Sequence, residues 1–181
     1  MPLYTIGHST RELGEFLALL DAHDIERIVD VRRYPGSRRH PHFGSEALSL
    51  SLREQGIAYR HAVELGGRRR AAGDSDNLFW RSDSFRAYAD YMATPDFRRA
   101  LSLVLDEAAR ERTAVMCAEA VPWRCHRNLI SDAAVALGVR VEHIIDAAPP
   151  NAHVLNPGAR VRPDRVVIYP APEVAQGRLD L

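Results

Sequence analysis

The chain has 181 residues, 46% of them hydrophobic, and its 24 basic and 24 acidic side chains balance to a formal net charge of zero. That length and hydrophobic fraction suit one soluble domain over residues 1–181. No apolar run reaches the roughly 18 residues a membrane span needs. Neutrality argues against a protein broadly coated for nucleic acid, and the start Met-Pro-Leu-Tyr-Thr-Ile lacks a basic segment followed by a long apolar one, so a cytoplasmic setting is expected.

Leu3 to Ile6 reads as a first strand ending at Gly7-His8-Ser9-Thr10, with Ser9 or Thr10 as the cap of a helix whose apolar stripe is Leu13, Phe16, Leu17 and Leu20. Ile28 to Val31 is a second strand, followed by a proline- and glycine-broken loop from Arg32 to Phe43. Ser45 is expected to cap a short helix, and Ile57 to Val63 forms a third strand that leaves through Glu64-Leu-Gly-Gly67. From Arg68 to Asn77 there is no apolar periodicity, which reads as a loop or lid.

Phe85, Tyr88, Ala89 and Met92 then share a helical face. Thr94-Pro95 restarts the chain as cap and first helical residue for Phe97, Leu101, Val104 and Ala108. Ala114 to Met116 is a fourth, buried strand that stops at Cys117. Pro122 reads as the first residue of the next helix, which Gly138 ends. Val139 to Ile145 alternates as a fifth strand. The core is therefore 3–146, and 147–181 is a proline-rich extension in which Val166 to Tyr169 reads as an edge strand or as a tail held by a second subunit of a homodimer. Strands alternating with helices predict an α/β fold: a single three-layer domain with a mostly parallel sheet of about five strands.

In such a sheet the loops after parallel strands share one rim. Several of these pieces together resemble the bacterial family named domain of unknown function 488: Thr5-Ile-Gly-His-Ser9, Val29-Asp-Val-Arg32 with Pro35 and Ser37, Tyr59 and His61, Glu64-Leu-Gly-Gly67, Phe85 to Met92, and Met116-Cys-Ala-Glu119 with Pro122 and Cys125-His-Arg127. The resemblance implies an α/β fold and a cytoplasmic bacterial origin. It brings no reaction and assigns no catalytic roles.

The residues themselves suggest chemistry. Cytoplasmic cysteines are more often reduced, metal-bound or catalytic than paired, and both cysteines lie in one strand-to-helix turn with Glu119, Arg124, His126 and Arg127. Cys117 is expected as nucleophile or redox thiol, its thiolate favoured by the helix N-terminus and by Arg124 or Arg127, with Glu119 and His8 as acid/base groups. For zinc or iron, Cys117, Cys125 and His126, joined by Glu119 or His8, are acceptable ligands. On a helix, however, Cys125 and His126 point about 100° apart, so no metal is assigned, and the sequence names no cofactor. A phosphatase-type loop fits poorly because Glu119 would repel phosphate. Between Arg27 and Arg70 ten arginines face four acids. One of Arg32 and Arg33 is expected to fork Asp30, leaving the other, with Arg127, the first-turn amides near Ser9, His61 and Gly67, to hold a small anionic ligand.

The leading expectation is thus an enzyme with an anionic, nucleotide-like substrate. The alternatives are a metal-binding protein, or a nucleic-acid-binding accessory protein that uses Arg38, Arg39 and Arg68 to Arg70 with Tyr34, Phe43, Trp80 and Trp123 for stacking.

Overall fold

A computed structural model describes residues 1–36, 39–70 and 73–172. Five parallel strands form the centre of the sheet: β1 (Leu3–Gly7), β2 (Arg27–Asp30), β3 (Ala58–His61), β4 (Thr113–Cys117) and β5 (Val141–Ile144). A two-residue antiparallel strand, β6 (Asn151–Ala152), adds to β5, giving the order β3-β2-β4-β1-β5-β6. Five helices connect them: α1 (Leu13–Ala22), α2 (Ser45–Glu54), α3 (Asp83–Met92), α4 (Pro95–Arg110) and α5 (Arg127–Ala136). Among the described residues no helix is long and apolar enough to cross a membrane.

Handedness assigns the helices to faces. The steps β1 to β2 to β3 run one way across the sheet, and β3 to β4 to β5 run the other. Right-handed crossovers therefore put the connecting helices on opposite faces. Phe16, Leu20, Leu48 and Leu52 of α1 and α2 pack on Tyr4, Ile6, Ile28, Ala114 and Met116. Residues of α3, α4 and α5, including Tyr88, Met92, Phe97, Leu101 and Leu129, pack on Leu3, Val29, Val115 and Cys117. Because side chains alternate along a strand, this parity also decides which face the strand-end residues serve.

Thr94 caps α4 as its spacing predicts: its hydroxyl accepts the amide of Phe97 at 3.3 Å, and Pro95 occupies the first turn. Thr94→Ala is expected to lower stability by about 1 kcal/mol, read as a shift of the urea midpoint at constant slope. The cap expected at Ser9 or Thr10 is not there. Ser9 has φ 53°, a left-handed conformation a cap does not adopt, and α1 starts at Leu13, where the Glu15 carboxylate accepts the Glu12 amide at 3.1 Å. Gly44, not Ser45, precedes α2.

The C-terminal region also differs from expectation. Among the described residues β7 (Arg160–Val161) and β8 (Val167–Ile168) pair only with each other, in a second small sheet, so Val166 to Tyr169 does not extend the main one. Tyr169 is instead buried on this chain's own core, its hydroxyl donating to Asp132 Oδ2 at 2.6 Å and its amide to Asn77 Oδ1 at 2.8 Å. Asp132 is the end of a directed buried chain. Arg127 donates to Thr5 Oγ1 at 3.2 Å, and Thr5 to His143 Nδ1 at 2.7 Å. His143 Nε2 then donates to His153 Nδ1 at 2.9 Å, and His153 Nε2 to Asp132 Oδ1 at 2.8 Å. A guanidinium that can only donate and a carboxylate that can only accept fix both tautomers between them.

Candidate functional site

At the carboxyl edge, β2 sends its chain to one face of the sheet and the adjacent β4 to the other. A crevice of about 550 Å³ opens at this switch point. Arg32, Arg33 and Tyr34 leave β2 on one side, and Cys117, Ala118 and Glu119 leave β4 on the other. Gly67, Arg68, Phe85, Tyr88, Arg124, Cys125 and His126 complete the wall.

The β4 exit requires Gly7 in the neighbouring strand. A Cβ there would lie 1.7 Å from the Glu119 carbonyl oxygen, which only a glycine avoids. Pro122 does not start an α-helix as expected. Residues Pro122–Arg124 make one 3-10 turn, Cys125 is extended (φ −137°, ψ 150°), and α5 begins at Arg127. The extended residue removes the expected divergence of Cys125 and His126. Their side chains turn to the same point, and the ligand atoms of Cys117, Cys125 and His126 all lie within 4.8 Å of one another.

The hydrogen bonds give this cluster a definite polarity. His126 Nε2 lies 3.1 Å from the carbonyl oxygen of Val31, which can only accept, so Nε2 carries the proton. Nδ1 is then an unprotonated lone pair, 3.6 Å from the Cys125 sulfur and 3.9 Å from that of Cys117. The Tyr88 ring packs 5.0 Å from the imidazole on one side. Gly67 approaches from another, where a Cβ would come within 3.1 Å of Nδ1.

The thiols do not titrate alike. A hydrogen bond to the Cys125 sulfur, followed by burial, holds Cys117 well above the usual thiol range. The same bond, donated by the Cys117 thiol, pulls Cys125 well below it although burial opposes this, and the charge of Arg127 adds to the lowering. The shared hydrogen bond thus stabilises one thiolate in the pair and opposes a second.

Five of the expected site residues border the crevice: Cys117, Glu119, Arg32, Arg33 and Gly67. Arg32 is the arginine that forks Asp30. Nε donates to Oδ1 at 2.9 Å and Nη2 to Oδ2 at 2.5 Å, while Tyr59 adds a hydroxyl donor at 2.8 Å. Asp30 lies fully buried beneath this fork and has no path to a ligand.

The other expected residues are placed elsewhere. His8 stacks on Phe43 at a centroid distance of 4.2 Å, and its Nε2 accepts Arg32 at 3.3 Å. Burial and then the Arg32 charge lower its pKa to about 4, so it sits neutral with its lone pair occupied. The Ser9 amide is spent on the Ala118 carbonyl at 2.8 Å, and with α1 starting at Leu13 there are no first-turn amides near Ser9 to receive an anion. His61 donates to the Arg32 carbonyl at 2.8 Å and borders a different cleft with Glu64 and Arg99. Arg127 is fully buried, donating to the Glu119 carbonyl at 2.5 Å, and its Nε has no partner among the described residues.

Arg68, Arg124, Cys125 and His126 belong to the crevice although the expected site omits them. The two cysteines flanking one turn were the legible signal for Cys125 and His126. Arg124 lies in that same turn and was legible with them, whereas Arg68 arrives from a separate loop and carried no such signal.

The nucleic-acid set is dispersed. Phe43 is fully buried, Trp80 stacks on Phe85 at 4.9 Å, and Arg69 lies 3.6 Å over the Tyr91 ring. Ser37, Arg38 and residues 173–181 lie outside the described residues.

A three-layer α/β protein with a thiol–imidazole cluster on the wall of a switch-point crevice is the class these features define. The chain belongs to the family described as Domain of unknown function DUF488, whose family model matches residues 12–134. No curated protein and no solved structure matches the chain significantly.

Proposed function

We propose that the chain is an enzyme acting on a small anionic, nucleotide-like substrate held in the switch-point crevice. The cysteine–histidine cluster supplies the reactive group and Glu119 carries the proton. One observation supports this above the rest. Among the described residues Arg33, Arg68 and Arg124 border the crevice and none of them is in an ion pair, so three cations face the same opening as the cluster. Unpaired guanidinium groups around one concavity match the forked acceptors of phosphate or carboxylate. Tyr34, 68% exposed and 5.8 Å from the Arg68 guanidinium, supplies a ring face on which a flat heterocycle would stack.

Titration calorimetry with pyrophosphate and with nucleoside monophosphates tests the reading. Losing one charge-assisted hydrogen bond removes about 1.5–3 kcal/mol, so Arg33→Gln and Arg124→Gln should each weaken binding roughly 10–100-fold. In chelator-treated protein Cys117→Ser should leave binding intact. Unchanged affinity in both arginine variants would remove the anion site. Oligonucleotide binding lost at Arg39→Gln but retained at Arg33→Gln would favour the nucleic-acid alternative instead.

A further inference from the structure

The distances from the imidazole nitrogen to the two sulfurs are those of the edges of a coordination tetrahedron. Zinc takes thiolate sulfur at about 2.3 Å and imidazole nitrogen at about 2.0–2.1 Å, so tetrahedral angles place sulfur and nitrogen about 3.6 Å apart. The distances here are 3.6 Å from Nδ1 to Cys125 and 3.9 Å to Cys117. Among the described residues no other three histidine, cysteine or acidic side chains bring their ligand atoms together in this way.

The imidazole is also arranged as metal ligands are. Its outer nitrogen donates to a backbone carbonyl, that of Val31, which fixes the tautomer and leaves Nδ1 unprotonated toward the two sulfurs. We infer that Cys117, Cys125 and His126 bind one divalent ion of the zinc class, with the fourth coordination position open to the crevice. Two thiolates and a neutral imidazole make an electroneutral site with a divalent cation. Soft sulfur donors select zinc over magnesium or calcium, and three protein ligands with one open position mark a catalytic rather than a purely structural centre. The inference deepens the proposed function and rests on the same crevice. It makes Cys117 a ligand, and the reacting group becomes whatever occupies the fourth position: a water or an oxygen of the anionic substrate.

Cobalt titration of reduced, chelator-treated full-length protein tests this. One Co²⁺ per chain should bind with ligand-field bands of tetrahedral intensity and a thiolate-to-cobalt charge-transfer band, and zinc should displace it. Cys117 and Cys125 are the chain's only cysteines, so that band identifies the ligands even if a variant fails to fold. Where they fold, Cys117→Ser, Cys125→Ser and His126→Gln should weaken cobalt binding by at least about 100-fold. Gly67→Ala, which presses on His126 without removing a ligand, should weaken it on the order of 10-fold. Zinc should also protect both thiols of the native protein from iodoacetamide.

Absence of the charge-transfer band, with alkylation equally fast with and without zinc, overturns the metal site. The crevice reading is judged separately by pyrophosphate binding in Arg33→Gln. Cobalt bound with the expected spectrum, but pyrophosphate affinity unchanged in Arg33→Gln and Arg124→Gln, would keep the metal and remove the anion site.

Discussion

Arg32→Ala should destabilise the protein by about 3–5 kcal/mol, a substantial share of what holds a domain of this size folded. Asp30 is fully buried at the end of β2, and the Arg32 side chain is 7% exposed. The fork, the Arg32 amide at 3.0 Å and the Tyr59 hydroxyl together satisfy the carboxylate. Removing the guanidinium strands a charge in a dry site with only two donors left. Lysine is no substitute, because a point charge cannot make two parallel bonds. Urea unfolding at neutral pH measures the loss. Asp30→Asn combined with Arg32→Met should lose less than Arg32→Ala, since no bare charge then remains. An Arg32→Ala variant within 1 kcal/mol of the parent would mean that water reaches Asp30.

The second large effect is an acid-induced loss of stability centred on His143. Burial, then the neighbouring His153 and Arg127, lower its pKa from 6.5 to about 3. His143 is held between Thr5 and His153, with Arg127 and Asp132 at the two ends of the chain of bonds. A proton on Nδ1 would break the bond from Thr5. The folded state therefore excludes a proton that the unfolded chain accepts below about pH 6.5. The contribution is complete above that pH and is lost progressively as pH falls toward 3. By pH 5 one such group costs on the order of 2 kcal/mol. In His143→Gln the amide oxygen can accept from Thr5 and the NH₂ can donate to His153, so the variant keeps the direction of the chain without titrating. Its stability should fall less between pH 7 and pH 5, by about that amount. Parallel profiles for parent and variant would show that His143 does not carry the acid sensitivity.

The interface of β4 with α5 shows how far the residues alone reach. The apolar run to Cys117, the helical stripes of α3 and α4, and the Thr94-Pro95 start are local patterns, and the chain realises them because propensity and burial agree there. The three-layer α/β architecture follows from the alternation of those elements. So does the placing of Cys117, Glu119 and Arg32 on one rim, because parallel strands must end together.

Other features depended on where a side chain points after the strand ends, which period and composition do not encode. A single extended residue, Cys125, turns two apparently divergent side chains into a cluster with Cys117. Parity along β1 and β4 sends His8 to the α1/α2 face and Cys117 to the opposite one. Arg127 and Arg33 look equally available as anion ligands in a list of residues. Folding buries Arg127 among backbone carbonyls and leaves Arg33 at the crevice.

By itself, then, the sequence determined the layers, the strand order's parallel character and the loops that share the site, since these depend on local periodicity and chain connectivity. The thiol–imidazole cluster, the hydrogen bond shared by the two thiols and, among the described residues, the arginines without an ion pair were decided only by tertiary structure. Each depends on distances of a few ångströms between residues from separate loops, where desolvation and the direction of a hydrogen bond settle which group is charged and which is spent.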